Sequence, residues 1–354
     1  MDTELDRRSD PQSDSETPST VTIIGAGSMG HGFVVQFLRS GLSVRLVDHR
    51  ESNLERARER ARNAANFLAE QDLAALEPAA VEGDVTYTID RARAVADADV
   101  VLETISEDLD AKRELFSALA DEADGDALLA SNTSGLPITD IAAGAPDAAA
   151  RIIGCHWWYP PYLLRPVEVI PGEQTSERTV ERLRSFLAAV DRDPIMVERD
   201  VPGFVWNRVQ HAVIRECLHI VEEGIASAED VNRAIRDGYA TRTAAIGPLE
   251  TVDIAGLELF QTSANDIYPD LTDRDDANPL YGERIDEGRT GIEAGAGFFD
   301  YDREPDEITG RRDERVAAIR RALGAFGDGS DATRDTDTSV ADFGGDPTEP
   351  GQPE

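Results

Sequence analysis

The sequence of 354 residues is short of positive charge. It has 35 Lys and Arg residues against 70 Asp and Glu residues, a net charge of −35, and Lys112 is its single lysine. Nucleic acids and anionic membranes bind through basic surfaces, so this composition argues against both as partners. Self-repulsion at such a charge destabilises a compact chain, and salt screens it. The composition therefore predicts a protein adapted to a salt-rich cytoplasm, whose unfolding temperature rises with KCl.

Cysteines and long apolar runs are also scarce. Cys155 and Cys217 are the only cysteines, too few for a disulfide framework, and no stretch has the length and apolarity of a leader or a membrane span. A reducing cytoplasm is the expected location. Cys155 adjoins His156, but a lone cysteine is more often a small buried residue than a nucleophile, and we expect the former.

The pattern of the chain predicts two folded domains between two polar ends. Residues 1–19 and 327–354 are charged and rich in proline or glycine, which predicts a disordered arm and a disordered acidic tail. Over residues 20–200 short apolar runs alternate with helical patterns, which predicts an α/β domain with a mostly parallel sheet. Residues 201–326 have helical periodicity and predict an all-helical second domain, with the boundary near Pro202.

The stretch "TIIGAGSMGHG" carries the first chemical signal. Gly25, Gly27 and Gly30 form a GxGxxG motif after an apolar strand and before a helix, where the missing side chains let backbone N–H groups approach a pyrophosphate. Asp48 ends the next apolar run, at about the 20-residue offset expected for an acid that binds ribose hydroxyls. The carboxylate favours NAD over NADP because it repels a 2′-phosphate, although Arg50 nearby leaves that choice open.

The stretch "IGCHWWYPPYLLRPVEVI" carries the second signal. It sets His156 beside two tryptophans and places Glu168 twelve residues later. A histidine in an apolar surround exchanges protons near neutral pH, and a carboxylate on its other ring nitrogen fixes the tautomer. The residues alone leave two alternatives open, a catalytic base or a structural histidine, because the eleven residues between His156 and Glu168 look like an irregular loop.

Seven stretches, in this order, resemble those of L-3-hydroxyacyl-CoA dehydrogenases, a family that also includes L-gulonate and L-carnitine dehydrogenases and lambda-crystallins. They are "GAGSMGHG", "VLETISEDLDAKRELF", "SNTSGLPITDIA", "GCHWWYPPYLLRPVEVI", "VPGFVWNRV", "IGPLETVDIAGL" and "GRTGIEAGAGFFDYD". The resemblance covers about residues 20 to 302. It implies an NAD-binding Rossmann domain, then a helical domain that also serves dimerisation.

The resemblance also implies roles for single residues. It makes His156 the general base, Glu168 its partner, and Ser134 and Asn207 the groups that hydrogen-bond the reacting oxygen. The glycine motif with Ser28 and Met29 is expected to bind the dinucleotide, and Glu103 and Lys112 are expected to line its nicotinamide end. Ser134 and Asn207 each have a simpler alternative as helix caps. The other histidines lack a ligand cluster, so no metal is predicted.

Two departures from the family pattern, a cluster of arginines and three tryptophans leave the substrate open. Tyr159 stands where the family has asparagine, and Glu293 and Ala294 stand around the place of a lysine. Arg56, Arg58, Arg60 and Arg62 follow Asp48, where acyl-CoA enzymes carry a basic helical clasp, and these arginines either meet CoA phosphates or pair with neighbouring acids. Trp157, Trp158 and Trp206 either wall the substrate pocket or fill the core.

The leading hypothesis is NAD-dependent oxidation of an L-3-hydroxyacyl-CoA. A dehydrogenase of a free 3-hydroxy acid is the alternative, and an NAD-binding protein with little catalysis is the third possibility.

Overall fold

The computed structural model describes residues 18–74 and 76–324 of the chain. Nearly all of the predicted arm and the whole of the predicted tail lie outside the described residues. The described part contains an eight-stranded sheet, whose strands are β1 Thr20–Ile24, β2 Ser43–Val47, β3 Val85–Thr88, β4 Val100–Glu103, β5 Leu128–Ser131, β6 Ile152–Trp157, β7 Pro166–Pro171 and β8 Asp193–Met196.

The sheet has the strand order β3-β2-β1-β4-β5-β6-β7-β8. Strands β1 to β6 run parallel to one another, and their order is that of a dinucleotide-binding Rossmann fold. Strand β7 pairs antiparallel with β6, and β8 pairs parallel with β7. The predicted α/β class is confirmed. The apolar runs of the sequence are "TVTIIG", "SVRLVD", "DVVLET", "ALLASN", "RIIGCH" and "IMVER", and all six contribute to strands. The sequence did not predict β3 and β7, and β7 lies within the stretch interpreted as an irregular loop.

Helices cover both faces of this sheet. They are α1 Gly30–Arg39, α2 Glu51–Glu70, α3 Ala80–Gly83, α4 Arg91–Val95, α5 Leu109–Glu122, α6 Ile138–Ala142 and α7 Glu177–Ala189. Strand side chains alternate between faces. Accordingly, Leu128 and Ala130 pack in the core layer under α1, α2 and α7, while Leu129 packs in the layer under α5 and α6.

The remainder of the described chain is helical, as predicted. It contains α8 Trp206–Glu222, α9 Ala228–Arg233, α10 Ala240–Ala245, α11 Pro248–Ala255, α12 Leu257–Ile267, α13 Pro279–Asp286 and α14 Pro305–Ala322, with a π-helical turn at Ala234–Tyr239. Its only described β pairings are isolated bridges between Gly291, Ala296 and Asp300. The sheet ends at Met196 and α8 begins at Trp206, and we propose a domain boundary at Pro202 between them.

Helices α11 and α12 expose large apolar side chains. Leu249 is 81% exposed, Ile254 69%, Leu257 65% and Leu259 62%. Apolar surface of this kind is unusual on a monomer and typical of a protein interface. Of the helices described, none is both long enough and apolar enough to cross a membrane.

Candidate active site

The glycine motif forms the turn from β1 into α1. Gly25 has φ +114°, a conformation that favours glycine, and a Cβ there would lie 2.6 Å from the carbonyl oxygen of Thr104. A Cβ on Gly30 would collide with the carbonyl oxygen of Gly25. Both glycines are therefore required by the packing of the protein itself.

Gly27 differs from these two. A Cβ there would have no protein atom within 4 Å, and Gly27 and Ser28 are both exposed. Met29 follows as the N-cap of α1. The absent side chain leaves backbone N–H groups open to a ligand at a helix N-terminus, where anions bind. This accessible loop fits the pyrophosphate of NAD.

Asp48 lies against the same loop. One of its carboxylate oxygens accepts a hydrogen bond from the Ala26 N–H at 2.9 Å. The other accepts from the Asn53 amide at 2.8 Å and the Arg50 N–H at 3.0 Å. Asp48 is thus fixed at the end of β2 beside the glycine turn, the position from which an acid reaches the ribose of NAD.

His156 and Glu168 form a direct cross-strand pair. They face each other in the antiparallel register of β6 and β7, and Nδ1 of His156 lies 2.6 Å from Oε2 of Glu168. His156 is 4% exposed and Glu168 is fully buried. Strand β7 therefore brings together two residues that the sequence separates by twelve positions.

The second oxygen of Glu168 holds the start of the helical domain. Its Oε1 accepts hydrogen bonds from the N–H groups of Val205 at 2.8 Å and Trp206 at 2.9 Å, where α8 begins. Burial alone raises the pKa of Glu168, but the bonds from His156 and from these two N–H groups outweigh it and leave the pKa below its ordinary value. An ionised carboxylate only accepts, so Nδ1 of His156 carries the proton, and in the neutral ring Nε2 then has a free lone pair.

Ser134 and Asn207 also meet. The Asn207 amide donates to the Ser134 carbonyl oxygen at 2.7 Å, which uses one of its two donors. Ser134 is exposed, and none of the described residues hydrogen-bonds its hydroxyl. The alternative that these residues cap helices is wrong, because the N-caps of α6 and α8 are Pro137 and Val205, without side-chain cap bonds.

Glu103 and Lys112 form a buried ion pair at the end of β4. Nζ of Lys112 lies 2.5 Å from Oε1 of Glu103, whose Oε2 accepts from the Ser131 hydroxyl at 2.6 Å. Burial raises the pKa of Glu103, and Lys112 and Ser131 oppose that shift. With exposures of 0% and 1%, the pair lies below the surface that it was expected to line. Its contact with the nicotinamide stays a prediction, whereas its support of Ser131 is observed.

Two residues of the site escaped the sequence interpretation. Glu107 accepts hydrogen bonds from the Thr133 hydroxyl at 2.6 Å and the Ser134 N–H at 2.8 Å, and so fixes the turn that carries Ser134. Asn132 accepts from the Trp157 N–H at 2.8 Å and ties the end of β5 to β6. Their partners are largely backbone groups, which leave no pattern in a sequence.

The sequence left two roles open for the tryptophans, to line the substrate pocket or to fill the core, and the three residues differ in this respect. Trp157 is 2% exposed and packs edge-to-face on Phe33 and Phe37, so it belongs to the core. Trp158 and Trp206 stack on each other with ring centres 4.1 Å apart and stay half-buried. The Trp158 indole nitrogen lies 3.5 Å from Oε2 of Glu168, so the two stacked tryptophans lie next to the His156–Glu168 pair.

Other reactive groups are less suited to chemistry. Cys155 is 1% exposed, as predicted, and burial raises the pKa of its thiol to about 12. Burial lowers the pKa of His31 to about 4, so it is neutral at working pH. In the described part of the chain one group has metal-ligand spacing, His219 with Glu222 and Glu223. Glu222 in that group already accepts from the amide of Asn278 at 2.8 Å.

Fold and site together define an NAD-dependent oxidoreductase. The family model described as 3-hydroxyacyl-CoA dehydrogenase, NAD binding domain, matches residues 20–201, and the model of the same family's C-terminal domain matches residues 203–301. The chain belongs to the 3-hydroxyacyl-CoA dehydrogenase family.

Its similar proteins act on different substrates. The chain is 34% identical to a 5-formyl-3-hydroxy-2-methylpyridine 4-carboxylate 5-dehydrogenase of Mesorhizobium japonicum over 86% of this chain and 97% of that one. It is 33% identical to an L-carnitine dehydrogenase of Streptomyces coelicolor over 90% and 98%.

The similar solved structures also include both an enzyme named for a free acid and an enzyme named for an acyl-CoA. A crystal structure of a 5-formyl-3-hydroxy-2-methylpyridine 4-carboxylic acid 5-dehydrogenase, described as an NAD+-dependent dismutase, matches with TM-score 0.81 and 33% identity over 87% of this chain and 99% of that one. The (S)-3-hydroxybutyryl-CoA dehydrogenase of Ralstonia eutropha matches with TM-score 0.64 and 27% identity over 81% and 100%.

Two glycine substitutions separate cofactor binding from folding. We expect Gly27→Ala to keep the unfolding temperature of the wild type but to weaken NAD binding about tenfold or more, because its methyl group projects only toward the ligand. Gly30→Ala should lower the unfolding temperature as well, because its methyl group meets the Gly25 carbonyl. Calorimetry of unfolding and of NAD binding measures both. Equal destabilisation by the two substitutions would contradict this interpretation of the loop.

Proposed function

We propose that this protein is an NAD-dependent dehydrogenase that oxidises a hydroxyl group of a small free hydroxy acid to a carbonyl, reversibly. The observation that carries the proposal is the His156–Glu168 pair, at 2.6 Å, with the second ring nitrogen free. Because β6 runs parallel to β1 through the strands between them, His156 lies at the same edge of the sheet as the glycine loop. A base and a dinucleotide site therefore face one crevice.

The reaction removes a hydride from the carbon and a proton from its oxygen. NAD, when bound, supplies the hydride acceptor. Nε2 of His156 accepts the hydroxyl proton, and Glu168 stabilises the imidazolium that results. The free hydroxyl of Ser134 and the remaining amide donor of Asn207 hold the oxygen while its charge changes. In the reverse direction the imidazolium returns the proton.

The basic residues of α2 offer little to a CoA thioester. The Arg58 guanidinium lies over the ring of Tyr87 at 4.5 Å, and Arg62 pairs with Glu82 at 3.1 Å. Arg56 donates to a side chain one turn earlier on its own helix. Three of the four arginines thus have partners within the first domain, although only Arg62 pairs with an acid.

The cavity beside α2 has an acidic lining. It has a volume of about 310 Å³ and lies between α2, the loop after β6 and α14. Arg60 faces it from α2, while Glu293, Asp306 and Asp313 face it from the other side. Carboxylates repel the phosphates of CoA, whereas a small hydroxy acid carries at most one net negative charge.

The similarity to known proteins also favours a free acid. The pyridine carboxylate dehydrogenase and the L-carnitine dehydrogenase are named for substrates without CoA, and the former matches in structure with a higher TM-score than the acyl-CoA enzyme, 0.81 against 0.64. The acyl-CoA substrate stays the second candidate, because "EDLDAKRELF" resembles the acyl-CoA enzymes.

One assay decides among these substrates. In buffer with molar KCl, we expect NAD reduction with L-carnitine or L-gulonate and little NADH oxidation with acetoacetyl-CoA. His156→Gln should lower kcat about 1,000-fold, the usual contribution of a positioned base, with NAD affinity within about twofold of wild type. His219→Gln is the matched control.

Turnover of acetoacetyl-CoA alone would favour the acyl-CoA candidate. Tight NAD binding without any turnover would favour the third possibility, a binding protein with little catalysis. A fully active His156→Gln variant would refute the assignment of the base.

We also propose that two copies associate through α11 and α12, as the family resemblance implies. Exposed leucines and isoleucines there, such as Leu249 and Leu257, need an apolar partner in a chain whose surface is otherwise strongly charged. Static light scattering should give twice the monomer mass of 38.5 kDa, and a monomer at micromolar concentration would contradict the proposal.

A further inference from the structure

Helix α14 lies beyond the part of the chain that the family models match, which ends at residue 301. The helix nevertheless packs on the first domain. Ala317 is fully buried in the core layer that contains the apolar face of α2, and Arg321 donates to Gln71 at the end of α2 at 2.6 Å. This helix is therefore a fixed part of the surface next to the site.

Two adjacent residues of α14 hold the loop that follows β6. Asp313 accepts a hydrogen bond from the Tyr162 hydroxyl at 3.1 Å, and both groups are buried, with exposures of 7% and 5%. Arg312 donates to the other oxygen of Asp313 at 2.6 and 2.8 Å, and its guanidinium lies 4.8 Å from the ring centre of Tyr159. We refer to Arg312 and Asp313 as the α14 clamp.

The first domain also holds the same loop, because Tyr162 and Leu163 are buried in the core layer that contains α1 and α2. Arg192 donates to the carbonyl oxygen of Pro161 at 3.0 Å, and Arg39 donates to that of Tyr162 at 3.2 Å. The α14 clamp adds contacts to the hydroxyl of Tyr162 and to the ring of Tyr159. Because Tyr159 is exposed, we expect the orientation of its ring, and with it the mobility of the loop, to depend on Arg312.

Tyr159 lies in the wall of the acidic cavity, close in the chain to the proposed base. It comes three residues after His156, it stands in the place of the family asparagine, and it is 40% exposed. Its ring lies 6.5 Å from that of His31, in the first turn after the glycine loop, and both line the acidic cavity. Glu293, another departure from the family pattern, lines the same cavity.

We propose that Arg312 and Asp313 are positioning residues for substrate selectivity. They fix the rings of Tyr159 and Tyr162 and thereby set the shape of the cavity wall next to β6. A wall of this shape fits a small hydroxy acid and leaves less room for a larger thioester. The inference rests on the proposed function for the identity of the substrate. The immobilisation of the loop by α14 is independent of it.

Hydrogen exchange tests the immobilisation without any turnover. The N–H groups of Leu163 and Leu164 donate to the Pro160 carbonyl at 3.1 Å and report on the loop. In the NAD-bound protein, Arg312→Ala and Asp313→Asn should speed the exchange of these amides about tenfold. Arg311→Ala, an exposed arginine on the same helix, should leave them unchanged. Exchange at the wild-type rate in both clamp variants would overturn the proposal.

Steady-state kinetics tests the effect on selectivity. For whichever of L-carnitine and L-gulonate is turned over, Arg312→Ala should raise KM about tenfold with kcat within about threefold, the size expected for loss of a cation–π contact, whereas kcat/KM for acetoacetyl-CoA should not fall. Arg312→Lys keeps a cation over the ring and should recover most of the loss. A fall in kcat at unchanged KM, or the same effect in Arg311→Ala, would contradict a positioning role. If no substrate is turned over, the proposed function fails and the exchange result alone decides the role of the clamp.

Discussion

The carboxylate of Glu168 is the group on which the rest of the site depends. One oxygen orients His156 on β6. The other accepts hydrogen bonds from the N–H groups of Val205, the N-cap of α8, and of Trp206, so a single buried charge joins the sheet to the start of the helical domain. That junction fixes where α8 begins and hence brings Asn207 to Ser134. A buried carboxylate is costly unless donors surround it, and this one has a ring nitrogen and a helix N-terminus. The orientation of His156 and the start of the helical domain therefore depend on the same carboxylate.

The acidity of the chain has different consequences at its surface and in its site. Most acidic residues in the described part of the chain are exposed to solvent, where salt screens them, whereas Glu103 and Glu168 are fully buried among specific donors. The single lysine is one of those donors, and it is among the least exposed residues of the chain. The site thus keeps ordinary buried ion pairs and hydrogen bonds beneath an acidic surface, and acidic residues also line the cavity beside α2.

Local patterns predicted the parts of the molecule that depend on local forces. The glycine motif, Asp48 and six strands follow from turn chemistry and apolar runs. The contact between His156 and Glu168 was not predictable, because it depends on β7, a strand that begins and ends with proline inside an irregular-looking stretch. It also depends on the antiparallel register of β6 and β7, for which the sequence contains no signal. Glu107 and Asn132 escaped because their partners are mainly backbone groups, and the α14 clamp escaped because it joins residues 151 positions apart.

We propose that His156 presents an unprotonated Nε2 to the substrate because Glu168 holds the proton on Nδ1 of the neutral ring. Nitrogen NMR of the protein with labelled histidine and bound NAD measures this directly, with His156→Gln identifying the resonance. The account predicts the Nδ1–H tautomer in the neutral ring, and its loss when Glu168 is replaced by Gln. An Nε2–H tautomer in the wild type would leave no lone pair for the hydroxyl proton and would contradict the account.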